Sequence, residues 1–132
     1  METRRAILRR LVAERAVAVL RLDAPNRLLP VIDHLHAGGI SVIEITMTVP
    51  DALNAIRRAA GQVPDHVVLG AGSVTSAPMA EAAIAAGARF VVSPVFEPNM
   101  IDAAHARDVP AIPGTLTPTE MQRAHAAGAD VV

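Results

Sequence analysis

The sequence predicts an α/β fold in which strand–helix units repeat and the strands form a parallel sheet. Short apolar runs rich in valine and isoleucine alternate along the chain with longer segments whose apolar residues follow helical spacing. Three of the helical segments end in Ala-Gly before the next apolar run, and Gly39, Gly87 and Gly128 mark these junctions. A glycine there supplies the left-handed residue that ends a helix and turns the chain into the next strand.

The chain opens with a predicted helix at 2–15. Ile7, Leu8, Leu11 and Val12 recur at helical spacing, and arginines surround them. The basic face is interpreted as a solvated surface, with anion binding as the alternative.

Strands and further helices then alternate. The apolar runs are short and bounded by turn residues, which is typical of strands, and the segments between them have one apolar face, which is typical of packed helices. The predicted strands lie at 16–21, 41–46, 66–69, 89–93 and 109–112, and 129–132 is interpreted as the beginning of a sixth. The predicted helices lie at 25–37, 50–60, 78–86, 99–106 and 117–127.

Polar residues at the carboxyl ends of successive predicted strands favour a barrel over a doubly wound sheet, since that edge carries the site of a (β/α)8 barrel. They are Arg21, Glu44, Thr46, Ser73, Ser93 and Thr115. The segment Gly70-Ala71-Gly72 lacks the third glycine of a dinucleotide fingerprint. A complete barrel typically needs about 250 residues, so the 132 residues are expected to form one partial TIM-barrel domain, 1–132, of about five and a half βα units.

The composition excludes several classes of partner and binding site. With 12 basic and 13 acidic residues the chain has no basic excess for nucleic acid, and it has no cysteine for disulfides or thiolate metal sites. No apolar run reaches the ~18 residues of a membrane span, and the first residues lack the apolar core of a signal peptide. A cytoplasmic protein without nucleic-acid or membrane partners is expected.

Glu44 is the strongest candidate for chemistry. It interrupts the apolar strand VIEIT, where a carboxylate is costly unless it is paired or functional. Desolvation would raise its pKa towards the range of a general acid–base group. The alternative is a structural Glu44 that faces the surface or pairs with Arg21.

Five motifs occur in a characteristic order: AVAVLR at 16–21, VIEITMTVP at 42–50, GAGSV at 70–74, FVVSP at 90–94 and PGTLTPTE at 113–120. Together they resemble the class I aldolases that act on 2-keto-3-deoxy-6-phosphogluconate and 4-hydroxy-2-oxoglutarate, over essentially the whole chain. The resemblance implies a trimeric (β/α)8 barrel that cleaves such keto-acids to pyruvate and glyceraldehyde 3-phosphate or glyoxylate, without metal or other cofactor. It also implies a Schiff base between the substrate carbonyl and a lysine of the sixth strand.

The resemblance further assigns residues to roles. Glu44 matches the catalytic glutamate, which shuttles protons, and Arg21 matches an arginine that binds a substrate anion. Ser73 stands where the family usually has threonine, beside the pyruvyl carboxylate, and Pro94 matches a proline of the pocket wall. Thr48 occupies a substrate-binding position that is arginine in some members and threonine in others.

The chain departs from the family in having no lysine, since all 12 basic residues are arginine. The family's lysine would follow Val132, so this chain is expected to be inactive alone. Two alternatives stay open: a non-catalytic module that binds phosphate or assembles with another chain, and a different barrel enzyme such as a phosphate-binding synthase. His34, His36, His105 and His125 form no clear ligand set and are interpreted as surface residues, with no metal site expected.

Overall fold

The computed structural model describes residues 2–132 and contains a five-stranded parallel sheet in the order β1-β2-β3-β4-β5. The strands are β1 (Ala18–Leu20), β2 (Val42–Thr46), β3 (Val68–Gly72), β4 (Val91–Val92) and β5 (Ala111–Ile112). The helices are α1 (Arg4–Glu14), α2 (Leu28–Ala37), α3 (Ala52–Ala60), α4 (Ala77–Ala85), α5 (Pro98–His105) and α6 (Pro118–Ala126), and a 3₁₀ turn (Pro25–Arg27) precedes α2. The α/β class and the alternation of strands with helices are confirmed.

Helix starts follow ordinary capping chemistry. The Ser76 hydroxyl accepts a hydrogen bond from the Met79 N–H at the start of α4. At α6, Thr117 and Glu120 form a reciprocal capping box, which satisfies backbone donors that a helix leaves free in its first turn. Proline lies in the first turn of α4, α5 and α6, where no backbone N–H is needed.

The later strands are shorter than predicted. β3 pairs with β4 only at Ala71 and Val91, although the Val74 N–H donates to the Val92 carbonyl and keeps the two segments together beyond the left-handed Ser73 (φ 58°). The residues at 129–132 are not a strand, so that prediction is wrong. The Asp130 N–H nevertheless donates to the Ala111 carbonyl at 3.1 Å, which lays this segment alongside β5.

The two faces of the sheet bury different sets of side chains. One face packs against the helices through alternate strand residues: Ile43, Ile45, Leu69, Ala71, Val91 and Ala111. The other, here called the inner face, buries Val42, Val68 and Phe90 with Ile7 and Leu11 of α1. Each such side chain contributes about 1.5–3 kcal/mol on full burial, so α1 is held to the inner face by its two buried residues, Ile7 and Leu11.

The carboxylate of Asp130 joins three parts of the fold. Its Oδ2 atom accepts hydrogen bonds from the Ala111 N–H and from His105 Nε2, both at 2.9 Å. Its Oδ1 atom lies 3.6 Å from Arg4 Nε, and only 8% of the side chain is exposed. The segment after α6 is thereby bound to β5, α5 and α1 at once.

A cavity of about 800 Å³ lies at the amino-terminal end of the sheet, lined in part by Val63, Pro64, Arg89 and Arg107. It lies at the opposite end of the strands from Glu44, and Arg89 is bound there by Glu2. Burial lowers the pKa of Arg89. Among the described residues, no helix combines the length and apolarity that crossing a membrane requires.

Candidate active site

Glu44 lies at the middle of β2, a strand in which every residue is buried. Its neighbours across the sheet are Val19 on β1 and Gly70 on β3. Only 7% of Glu44 is exposed, on the same face as Val42 and Phe90. Burial raises the pKa of its carboxyl, and the charge of Arg21 opposes that shift. A raised pKa brings a carboxyl closer to the range in which a general acid–base group both donates and accepts a proton.

Two glycines of β3 make room on the inner face. A Cβ atom at Gly72 would overlap Glu44 Oε1, and a Cβ atom at Gly70 would overlap the Phe90 ring. The Gly-Ala-Gly sequence of β3 therefore serves close packing here, with Phe90 over the first glycine and Glu44 over the second. The sequence alone did not identify Gly72 as part of the site, although a Gly-x-Gly spacing within a buried strand is the signal for it.

Arg21 follows the last residue of β1 and is exposed. Its charge is close enough to lower the pKa of Glu44, although no ion pair between them lies within contact distance among the described residues. Arg21 is therefore free to place its guanidinium on a bound anion at the carboxyl edge of the sheet.

Thr46 and Thr48 form a short chain of hydroxyl groups at the end of β2. The Thr46 hydroxyl donates to the Leu20 carbonyl at 3.3 Å, and its oxygen is 2.8 Å from the Thr48 hydroxyl. Because a carbonyl only accepts, Thr48 donates to Thr46 in this arrangement. Thr46 is fully buried and Thr48 is exposed, so the pair connects the strand interior to its carboxyl edge.

Ser73 and Pro94 lie at the carboxyl ends of β3 and β4. Ser73 is half-buried in its left-handed turn, and Pro94 is exposed with its carbonyl against Gly114. No hydrogen bond within the described part of the chain joins either residue to Glu44. The structure thus places Arg21, Glu44, Ser73 and Pro94 along one edge of four neighbouring strands, with Glu44 the deepest of them.

The chemistry available at this edge is that of one carboxyl, one guanidinium and several hydroxyls. The 132 residues contain no lysine and no cysteine, so neither an amine side chain nor a thiol is at hand as a nucleophile. Residues 2–132 hold no group of three or more His, Cys, Asp or Glu side chains placed to bind a metal. The arrangement suits proton transfer to a bound anionic substrate.

Comparison with known proteins decides the relationship. The profile of the family described as KDPG and KHG aldolase matches residues 7–132. The chain belongs to this family. KDPG denotes 2-keto-3-deoxy-6-phosphogluconate, and KHG denotes 4-hydroxy-2-oxoglutarate. The resemblance predicted from the sequence is confirmed.

Individual members of the KDPG and KHG aldolase family show how far the likeness extends. The 2-dehydro-3-deoxy-phosphogluconate aldolase of Treponema pallidum is 38% identical over 118 residues, which are 89% of this chain and 56% of the relative. The enzyme of the same name from Dickeya dadantii is 37% identical over 111 residues, 84% of this chain and 52% of the relative. The chain therefore spans about half the length of the curated relatives it matches.

A solved structure of a KDPG aldolase extends the likeness to the fold. The Legionella pneumophila enzyme, with pyruvate captured as a covalent carbinolamine intermediate, superposes with a TM-score of 0.84 at 30% identity. The match covers 92% of this chain and 58% of that one. The chain thus has the fold of part of a TIM-barrel-like aldolase, as predicted.

Proposed function

We propose that this chain supplies the proton-transfer part of a class I aldolase site for phosphorylated and related keto-acids. The substrate would be 2-keto-3-deoxy-6-phosphogluconate or 4-hydroxy-2-oxoglutarate, cleaved to pyruvate and glyceraldehyde 3-phosphate or glyoxylate. The observation that supports it most is the buried Glu44 carboxyl, with its raised pKa, at the carboxyl edge of a parallel sheet. Membership of the KDPG and KHG aldolase family supports the same reaction.

Each residue has a definite part in this proposal. Glu44 passes protons during carbinolamine formation, dehydration and cleavage of the carbon–carbon bond, for which its pKa suits it. Arg21 binds a substrate anion, and Ser73 hydrogen-bonds the pyruvyl carboxylate. Thr48 contacts the remaining part of the substrate, and Pro94 forms the pocket wall. The amine that attacks the keto group comes from a lysine outside residues 1–132, expected immediately after Val132.

The larger organisation belongs to the same proposal. Residues 1–132 form one partial barrel domain, and the working enzyme is a homotrimer in the cytoplasm whose partners are keto-acids rather than nucleic acid or membrane. Size-exclusion chromatography with light scattering on a polypeptide that carries the lysine would report the trimer directly.

The test compares two polypeptides: residues 1–132, and the same residues extended by the lysine-bearing remainder of a KDPG aldolase. Each is incubated with pyruvate and borohydride, and the covalent mass gain and its position are read by mass spectrometry. We expect reductive trapping on the added lysine and cleavage of the phosphorylated keto-acid in the extended polypeptide only.

Within the extended polypeptide, Glu44→Gln should retain the fold and lose about 10²–10⁴-fold in turnover, the usual contribution of a positioned acid–base group. Glu81→Gln, at an exposed helical position, is the matched control and should keep its rate. Full activity in Glu44→Gln, or trapped imine on residues 1–132, would contradict the proposal.

A further inference from the structure

Two histidines meet at the amino-terminal end of the sheet, away from Glu44. His36 lies in the last turn of α2, and His66 precedes β3 by two residues. Their Nε2 atoms are 2.7 Å apart. Their ring centres are 4.4 Å apart, and the ring planes are inclined by 50°. His66 is exposed and His36 is partly buried, so the pair opens onto solvent on one side.

These distances fit two imidazoles on one ion better than two rings joined end to end. Rings in line along an N–H···N hydrogen bond of 2.7 Å would have centres roughly 5 Å apart. Two nitrogens bound at right angles to one ion, each at about 2.0 Å, would lie roughly 2.8 Å apart with ring centres roughly 4.5 Å apart. The observed Nε2–Nε2 distance is 2.7 Å and the observed distance between ring centres is 4.4 Å. The two rings therefore have nearly the relative position of two adjacent ligands of one ion.

The protons of the pair permit such binding. A hydrogen bond between two Nε2 atoms needs one protonated and one free nitrogen, and a metal ion takes the place of that proton. The displaced proton moves to the Nδ1 atom of the same ring, which keeps that imidazole neutral. His36 Nδ1 is buried and has no hydrogen-bond partner among residues 2–132, so protonating it breaks no existing hydrogen bond.

We propose that His36 and His66 form a binding site for a divalent cation of the Cu²⁺ or Ni²⁺ class. Imidazole suits both ions, and a right-angle pair of nitrogens matches their square-planar or tetragonal preference. Tetrahedral Zn²⁺ would need the nitrogens roughly 3.3 Å apart, a wider spacing than the pair has. Since the described residues add no third protein ligand, water completes the coordination.

The charges around the pair are compatible with a cation. Arg10 donates to the His66 carbonyl, Arg89 donates to the carbonyls of Asp65 and Val67, and both guanidinium groups contact the Glu2 carboxylate. Glu14 lines the same small cavity as His66 and adds a carboxylate, which accepts from the Ser41 N–H at 2.6 Å. The two arginines are balanced by the carboxylates of Glu2 and Glu14, so these four side chains together add no net positive charge beside the pair.

Occupation of this site would act on the fold rather than on the chemistry at Glu44. The two ligands are thirty positions apart, on α2 and on the segment that leads into β3. An ion held by both closes that loop and binds the folded chain alone, so it should raise thermal stability in proportion to the logarithm of its concentration.

The experiment titrates Cu²⁺ into residues 1–132, free of chelators and tags, by calorimetry and by electron paramagnetic resonance. We expect one equivalent bound, with hyperfine splitting from two nitrogen donors. His36→Gln and His66→Gln should each weaken binding at least tenfold, whereas His34→Gln should bind as wild type. His34 is the matched control because it lies on the same helix and bonds only the Pro30 carbonyl.

Ni²⁺ provides a second measurement that does not depend on the copper spectrum. The melting temperature of the wild type and of His34→Gln should rise with Ni²⁺, and that of His36→Gln and His66→Gln should not move. Circular dichroism checks that each variant is folded. The proposal would be overturned by the absence of stoichiometric binding or by a spectrum without two nitrogen donors. It would also be overturned if the His36 and His66 variants bound copper as tightly as the wild type. Copper bound at the amino terminus instead of at the histidines would give this last result.

Discussion

The carboxylate of Glu44 occupies the space in which a side chain at Gly72 would lie. The two residues are on neighbouring strands, and the absence of a side chain on β3 allows the carboxylate to be buried without crowding. A first prediction concerns this pair. Gly72→Ala should destabilise the chain by about 1–3 kcal/mol, the usual cost of overpacking, because the new methyl group displaces the carboxylate.

Gly61→Ala is the control for that measurement. Gly61 ends α3 with an ordinary φ of −82°, and the nearest atoms to a Cβ there are 3.7 Å away. Its unfolding free energy in urea should stay within about 1 kcal/mol of wild type. Equal stability of the two alanine variants would mean that Glu44 does not fill the space at Gly72.

The pH dependence of stability should report the burial of Glu44. Because its pKa is raised above the ordinary value of 4.5, the folded chain binds this proton more tightly than the unfolded chain. The corresponding stability is fully present below pH 4.5 and is lost as the pH rises through the folded-state pKa. Glu44→Gln stays neutral, so its free energy of unfolding should increase relative to that of the wild type as the pH rises above 4.5. A constant difference over that range would show Glu44 to be solvated.

Arg21→Gln should raise the pKa of Glu44 further, since the guanidinium charge is what opposes the effect of burial. Carbon-13 NMR titration of the Glu44 side-chain carboxyl measures the change directly. Arg27→Gln, which removes another exposed arginine, serves as the control and should leave the Glu44 titration where it is. An identical titration in the Arg21 variant would place the guanidinium too far away to act.

Asp130→Asn tests the junction between the chain after α6 and the rest of the fold. The amide retains an acceptor for the Ala111 N–H, but loses the charge that attracts Arg4 and weakens the hydrogen bond from His105. We expect a loss of about 1.5–3 kcal/mol, the usual value of hydrogen bonds to a charged group. Hydrogen exchange at Ala111 should also quicken. Asp102→Asn, at an exposed site on α5, should change neither quantity.

Residues 1–132 alone should associate at micromolar concentration. β1 and β5 are the two edges of the sheet, and open edges present unpaired backbone groups to other chains. Val17 and Val19, at the β1 edge, are 41% and 49% exposed. Sedimentation velocity should show dimers or larger species. A purely monomeric polypeptide with a sharp cooperative melt would indicate that the five strands are sufficient alone.

The fold could be predicted further than the site. Periodicity located all six helices and five strands, because each depends on local spacing of apolar residues. The shortening of β4 to two residues could not be predicted, since the length of a strand depends on its pairing with both neighbours, here β3 and β5. The segment at 129–132 has the composition of a strand, yet only its first polar residue bonds to β5.

Within the site, the sequence pointed to Glu44 because a carboxylate in an apolar strand is conspicuous. It did not point to Gly72, whose part depends on the register between β2 and β3. The hydroxyl chain through Thr46 likewise depends on a carbonyl of β1. The contact between His36 and His66 could not be predicted, because thirty residues separate two rings that only the tertiary structure brings together.

The sequential order of the sheet has a consequence for synthesis of the chain. Each strand pairs with the next one along the sequence, so the sheet is able to grow as the ribosome releases it, one unit after another. The contact of Arg4 with Asp130 does not follow this order, since it joins opposite ends of these residues. Contacts of such long separation form late, after the entropy of closing the intervening loop has been lost. Although α1 is the first helix to be synthesised, its contact through Arg4 with Asp130 forms only after nearly every later unit has been made.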